Sequence, residues 1–121
     1  MNEAVETAFS LEDRVGVGLG PIVVNGVVPE IPGLDADPVV AAEPAGVALR
    51  PGESEALAAA ASFRRGRMAL QAEQIGRLED QLPLAQLRLP FLFTTDIGPH
   101  DLDVLARALL TEIDALAGLP L

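Results

Sequence analysis

Two groups of side chains able to contact a ligand lie where predicted strands end. Asn25 follows the β-branched run at residues 22–24, and residues 90–93 (Pro-Phe-Leu-Phe) close the strand that begins at Gln86. Ligands of open α/β sheets bind at the carboxyl ends of the strands, and an asparagine amide both donates and accepts hydrogen bonds. The spacing therefore predicts a ligand site at these strand ends. An alternative is that Asn25 only begins a turn before Gly26, as Asn-Gly pairs commonly do.

The remaining candidate residues favour structural roles. His100 is the only histidine and precedes an apolar helical pattern, which is typical of a helix-end or surface residue. Arg64, Arg65 and Arg67 are able to contact an anion. The alternative is a solvated helix face that pairs with Glu73 or nearby acids.

Composition excludes several classes of protein. The chain has 121 residues, 18 acidic and 8 basic, for a net charge of -10, and this charge argues against a nucleic-acid partner. All basic residues are arginine, so chemistry that needs lysine is excluded, and the absence of cysteine excludes thiolate sites. The N-terminus is acidic and lacks the charged-then-apolar layout of a secretory signal, so we predict a cytoplasmic location. No apolar run approaches the roughly 18 residues that cross a bilayer, so we predict no transmembrane segment.

The elements that position these residues alternate between helix and strand. The periodicity of apolar residues predicts helix 2–15, strand 22–25, helix 53–81, strand 86–93 and helix 101–117, with stops at Gly16, Pro83, Gly118 and Pro120. The glycine-rich stretch at residues 16–20 follows a helix and precedes a strand. A phosphate-binding loop needs the opposite order, so we interpret these glycines as a helix stop.

A proline-rich segment separates the first strand from the long helix. Five prolines lie between Gly26 and Gly52, a density that argues against any stable helix or central strand there. The chain is therefore predicted as a single α/β segment, residues 1–121, in which residues 27–52 form a loop or insertion.

The predicted order contains one βαβ crossover flanked by helices. Both strands consist largely of apolar residues, which predicts that both lie buried on both faces in a parallel sheet. Two parallel strands alone leave both sheet edges unpaired and are marginally stable. The chain therefore looks like part of a larger sheet, or one that a partner completes.

Several segments together resemble one family, the arsenite-pump-type, ArsA-like anion-transporting ATPases, which include the targeting factor for tail-anchored membrane proteins. The matching segments are the opening helix from Glu6 to Arg14, the strand and asparagine from Gly20 to Glu30, Arg64-Arg65 with Gln74-Ile75, Leu89-Pro90-Phe91, Asp96-Ile97-Gly98, and the helix residues Leu102, Leu105 and Ala106. The resemblance covers nearly the whole chain outside the proline-rich segment.

The resemblance implies a partial doubly wound P-loop NTPase-like sheet that lacks the N-terminal strands and the P-loop. It implies an ATP or ADP site in which Asn25 holds the adenine while Pro90, Phe91 and Leu92 pack on its face. Magnesium binding and hydrolysis would need the missing N-terminal part. The zinc-binding cysteine pair of the family's eukaryotic branch has no counterpart, since Ala61 stands in that region and the chain contains no cysteine.

The partners implied are the N-terminal part of the ATPase or a homo-oligomer partner, with a peripheral link to a membrane transporter or client. One alternative is a non-enzymatic interaction module that docks through a sheet edge or the long helix. Another is a small enzyme of unknown type, for which the sequence offers no catalytic constellation.

Overall fold

A computed structural model describes residues 1–118. Its elements, in chain order, are α1 (Asn2–Ser10) continued by a π-helical turn (Leu11–Val15), β1 (Ile22–Val27), α2 (Pro38–Ala42), α3 (Glu53–Gln81), β2 (Gln86–Pro90) and α4 (Pro99–Ala117). The mixed α/β class is confirmed. The predicted stop at Pro120 lies outside the described residues.

Local residues explain where the helices begin and end. The opening helix stops at Gly16, whose φ of 73° lies in the left-handed region that glycine adopts without strain. Helix α3 carries Glu53 and Glu55 in its first turn, where acidic side chains interact favourably with the positive end of the helix dipole. At the start of α4, the Asp101 carboxylate accepts a hydrogen bond of 2.9 Å from the Gly98 N–H. Both long helices agree with the sequence prediction to within two residues.

The proline-rich segment contains one helical turn that the sequence analysis did not predict. Pro38 begins α2 at a position where the missing N–H is not needed, and the Asp37 side chain accepts a hydrogen bond of 2.8 Å from the Val39 N–H. The expectation that proline density prevents any helix there was therefore wrong. Proline at the first helical position is compatible with a helix.

The two strands form a two-stranded parallel sheet. Ile22 is the register partner of Gln86, and Val27 is the partner of Pro90. Helix α4 packs beside β2. Strand β2 ends at Pro90 rather than at residue 93, since beyond the Phe91 N–H the chain leaves the ladder.

The strands are less buried than the sequence predicts. Among the described residues, the buried hydrophobic side chains are Ala8, Leu82 and Leu87, so only one of them belongs to a strand. Val23 in β1 is 51% exposed. The prediction that both strands are buried on both faces was therefore wrong. The apolar composition of the strands is typical of buried strands, but within residues 1–118 no further strand flanks the pair to cover them.

The chain divides into two compact units. One comprises Met1–Pro29 with the chain from Glu73 onward, and it contains the sheet; the other comprises Glu30–Ala72. The second unit holds α2 and the first part of α3. No helix among the described residues combines the length and apolar character required to cross a membrane.

Candidate functional site

The predicted site residues lie together at the carboxyl end of the sheet. The ladder pairs Val24 with Arg88 and Val27 with Pro90, which places Asn25 between these two levels. The Phe91 N–H donates to the Val27 carbonyl oxygen over 2.8 Å. Asn25 and residues 90–92 are therefore neighbours at one end of two adjacent parallel strands, the position where open α/β sheets bind ligands.

A β-bulge, rather than a turn, accounts for the Asn-Gly pair. Between Val24 and Val27 the first strand advances three residues while β2 advances two, so Asn25 and Gly26 carry the irregularity. Gly26 has a φ of 73°, and a Cβ built on it would lie 3.9 Å from the Phe91 ring. The turn that was the alternative role of Asn25 does not form, because the left-handed glycine is used within the strand and β1 continues to Val27.

An aromatic pair forms the apolar part of the corner. The rings of Phe91 and Phe93 meet edge to face, with centroids 5.1 Å apart and planes at 71°. Phe91 is 45% exposed and Phe93 61% exposed, while Leu92 is half-buried. The carboxyl end of the sheet thus offers accessible ring surface after β2 and an exposed asparagine in β1. An amide that both donates and accepts, next to an aromatic face, suits a planar heterocycle.

The outer edge of β2 is occupied. In a parallel ladder, alternate residues direct their N–H and C=O groups to one neighbour, and those between direct them to the opposite side. Since the Phe91 N–H points to β1, Arg88 and Pro90 point outward. The Arg88 N–H donates to a Glu112 carboxylate oxygen at 3.3 Å, and Pro90 has no N–H to offer. From Arg88 onward this edge therefore has no N–H group for another strand, while Gln86 at the start of β2 also points outward.

The outer edge of β1 is different. The Ile22 N–H donates to the Ala85 carbonyl oxygen over 2.8 Å, so Ile22 and Val24 face β2 while Val23 between them faces away from it. Among residues 1–118 no strand lies on that side. The sequence contains no charged residue from position 15 to position 29, so the strand has no charged side chain of its own to protect this edge.

The other candidate residues do not belong to this corner. The Arg65 guanidinium donates to the Leu34 carbonyl oxygen at 2.6 Å, which is a structural contact. His100 lies exposed in the first turn of α4, as predicted. Within the described residues, no group of three or more His, Cys, Asp or Glu side chains is arranged to hold a metal ion.

The contact between the Arg88 N–H and the Glu112 carboxylate was not predictable from the sequence. Glu112 lies in α4, far along the chain from Arg88, and no local pattern connects a helix carboxylate to a particular strand N–H. Comparisons of the chain with protein-family models, with curated proteins and with solved structures find no match.

Proposed function

We propose that this chain is an interaction module that docks through the outer edge of β1 by adding a strand to its sheet. The observation that supports the proposal is the difference between the two edges. From Arg88 onward the β2 edge offers no N–H group, because the Arg88 N–H is bonded to Glu112 and Pro90 has none, whereas Val23 directs its backbone groups outward from the middle of β1. Strand addition satisfies such groups and uses the main chain as the docking surface.

Side-chain burial supports the same proposal. Only Ala8, Leu82 and Leu87 are buried among the described hydrophobic residues, and Val23 remains 51% exposed in the middle of a strand. A strand laid along β1 would cover Val23 and extend a sheet that is marginal with two strands. Docking would therefore stabilise the module as well as hold the partner.

The partner that we propose is a second copy of the chain. Each copy carries a net charge of -10, which opposes association, but residues 15–29 contain no charge and avoid that repulsion at the edge. Antiparallel pairing about a twofold axis near Val24 would set Val23 opposite Asn25 of the partner subunit. This arrangement makes about four backbone hydrogen bonds. Pro21 and the bulge confine the pairing to the centre of the strand.

The test compares two valine-to-lysine substitutions by sedimentation velocity over a wide range of concentration. We expect the unmodified chain to form a dimer, and Val23→Lys to weaken it strongly, because the two introduced lysines would be diagonal neighbours across the axis and place like charges within reach of each other. Val40→Lys changes the charge equally at an exposed position in α2 and should leave the dimer intact. A chain that stays monomeric, or equal effects of the two substitutions, would contradict the proposal.

A second candidate function is nucleotide binding, favoured by the convergence of Asn25 and Phe91 at the carboxyl end of the sheet. In this proposal the chain is the C-terminal, adenine-side segment of an ArsA-like ATPase. The Asn25 amide would bond the edge of the base, and the exposed Phe91 ring would cover its face. The remaining strands and the groups that hold magnesium and phosphates would come from the N-terminal part.

Nuclear magnetic resonance titrations with ADP and with CDP test this second candidate. We expect ADP to move the signals of Asn25 and Phe91 in a saturable manner and CDP to move them less. Asn25→Ala should weaken the ADP response severalfold, while Asn2→Ala, at the start of α1, serves as the matched control. Unmoved signals, or phosphate release from ATP and magnesium by the chain alone, would argue against this assignment.

A further inference from the structure

The unit formed by Glu30–Ala72 contains an open cavity that plays no part in the function proposed above. Its volume is about 500 Å³, and its walls come from the segment before α3 and from one face of that helix. Larger apolar residues that line it include Ile31, Leu34, Val47, Leu49 and Leu57. This volume lies within the range of small-molecule sites, about 300–1,000 Å³.

Specific hydrogen bonds hold the walls. The Arg65 side chain of α3 reaches the Leu34 carbonyl oxygen at 2.6 Å and ties the start of the segment to the helix. The Val47 N–H donates to the Ala42 carbonyl oxygen at 3.0 Å and closes the turn after α2. The Glu53 carboxylate accepts from the Arg50 N–H at 2.7 Å. A proline-rich segment held at these points provides a formed cavity rather than a loose loop.

The chemistry of the lining selects an apolar occupant. Arg64 is the one charged residue among the lining side chains of this cavity, and the rest are aliphatic residues, proline or glycine, with no carboxylate, hydroxyl or amide side chain. A polar group placed there without a partner loses its hydration without compensation. The neighbouring cavity differs, since Glu43, Arg50 and Glu55 line it.

We propose that this cavity binds a small, uncharged, hydrocarbon-rich molecule. At about 30 Å³ per water-sized group, its volume accommodates on the order of 15 such groups. A polypeptide segment fits less well, because each residue would bring an N–H and a C=O group that the aliphatic lining cannot satisfy. Alanine and glycine positions in the walls leave the space that the ligand fills.

The test uses N-phenyl-1-naphthylamine, an uncharged fluorescent probe, with the full chain. The chain has no tryptophan or tyrosine, so the background emission is low. We expect a saturable rise in fluorescence that decan-1-ol reverses. Ala61→Phe fills the cavity from the α3 side and should weaken binding by about tenfold or more, which corresponds to about 1.4 kcal/mol.

The control is Ala59→Phe, the same change in the same helix at an exposed position that does not line the cavity, and its affinity should stay within about twofold of the original. Methyl resonances of Leu34 and Leu57 give a second measurement on the unmodified chain, and decan-1-ol should shift them. Non-saturable binding, equal effects of the two substitutions, or unmoved methyl signals would overturn the proposal.

Discussion

Leu87→Ala tests whether the small buried core holds the sheet-containing unit together. Leu87 is 7% exposed and is the one buried residue of the two strands. The substitution removes about three carbon groups at about 0.8 kcal/mol each, and a residual cavity adds to the loss. We therefore expect the free energy of unfolding to fall by about 2–3 kcal/mol, a large part of the roughly 5–15 kcal/mol typical of a domain.

The matched control is Leu110→Ala in α4, where the leucine is 59% exposed and the same arithmetic gives about 1 kcal/mol. Urea unfolding followed by far-ultraviolet circular dichroism measures both losses, since the chain lacks tryptophan and tyrosine for a fluorescence readout. Equal losses would refute the reasoning, because they would mean that the exposed face of α4 is covered in solution as fully as Leu87.

Two further substitutions test local features by the same urea measurement. Gly26→Ala should lower the free energy of unfolding by about 1–2 kcal/mol, because an L-residue is strained at a φ of 73°. Gly20 has no positive φ, so Gly20→Ala should lower it by under about 0.5 kcal/mol. Similar losses for the two substitutions would contradict the assignment of a bulge at Gly26. Asp101→Ala should lower the free energy of unfolding by about 1 kcal/mol, because it leaves the Gly98 N–H without its acceptor. Asp103→Ala breaks only an exposed ion pair and should lower it by about half that or less. The reverse order would contradict the assigned cap.

The long helices were predictable because their signals are local. Glu53 and Glu55 mark the start of α3, and Pro83 follows shortly after its end at Gln81. Helix α2 was not predicted because the density of prolines does not show where each proline lies, and Pro38 lies in the first turn, where a helix tolerates it. The burial of the strands was overestimated. An apolar composition shows that a strand can be buried, but burial also needs a neighbouring layer of structure, which composition does not provide.

The meeting of Asn25 with the Phe91 segment was predictable from topology, because parallel strands place their carboxyl ends at the same edge. Purine binding at that corner stays a prediction. The bulge was not predictable, since an Asn-Gly pair matches both a turn and a left-handed glycine within a strand. The Arg65 contact to Leu34 joins residues far apart in the chain, so no periodicity reveals the cavity that it supports.

The register of the parallel ladder has a consequence for how the chain folds. Ile22 pairs with Gln86, a residue more than half the chain away, so β1 has no intramolecular partner until the whole intervening segment has been synthesised and brought round. Closing so long a loop precedes any gain from the pairing, which slows folding relative to a hairpin. The closure cost rises by only about 0.6 kcal/mol for each doubling of loop length. Insertions in the proline-rich segment should therefore delay sheet formation modestly, and a newly made chain should expose β1 to intermolecular pairing before β2 emerges from the ribosome.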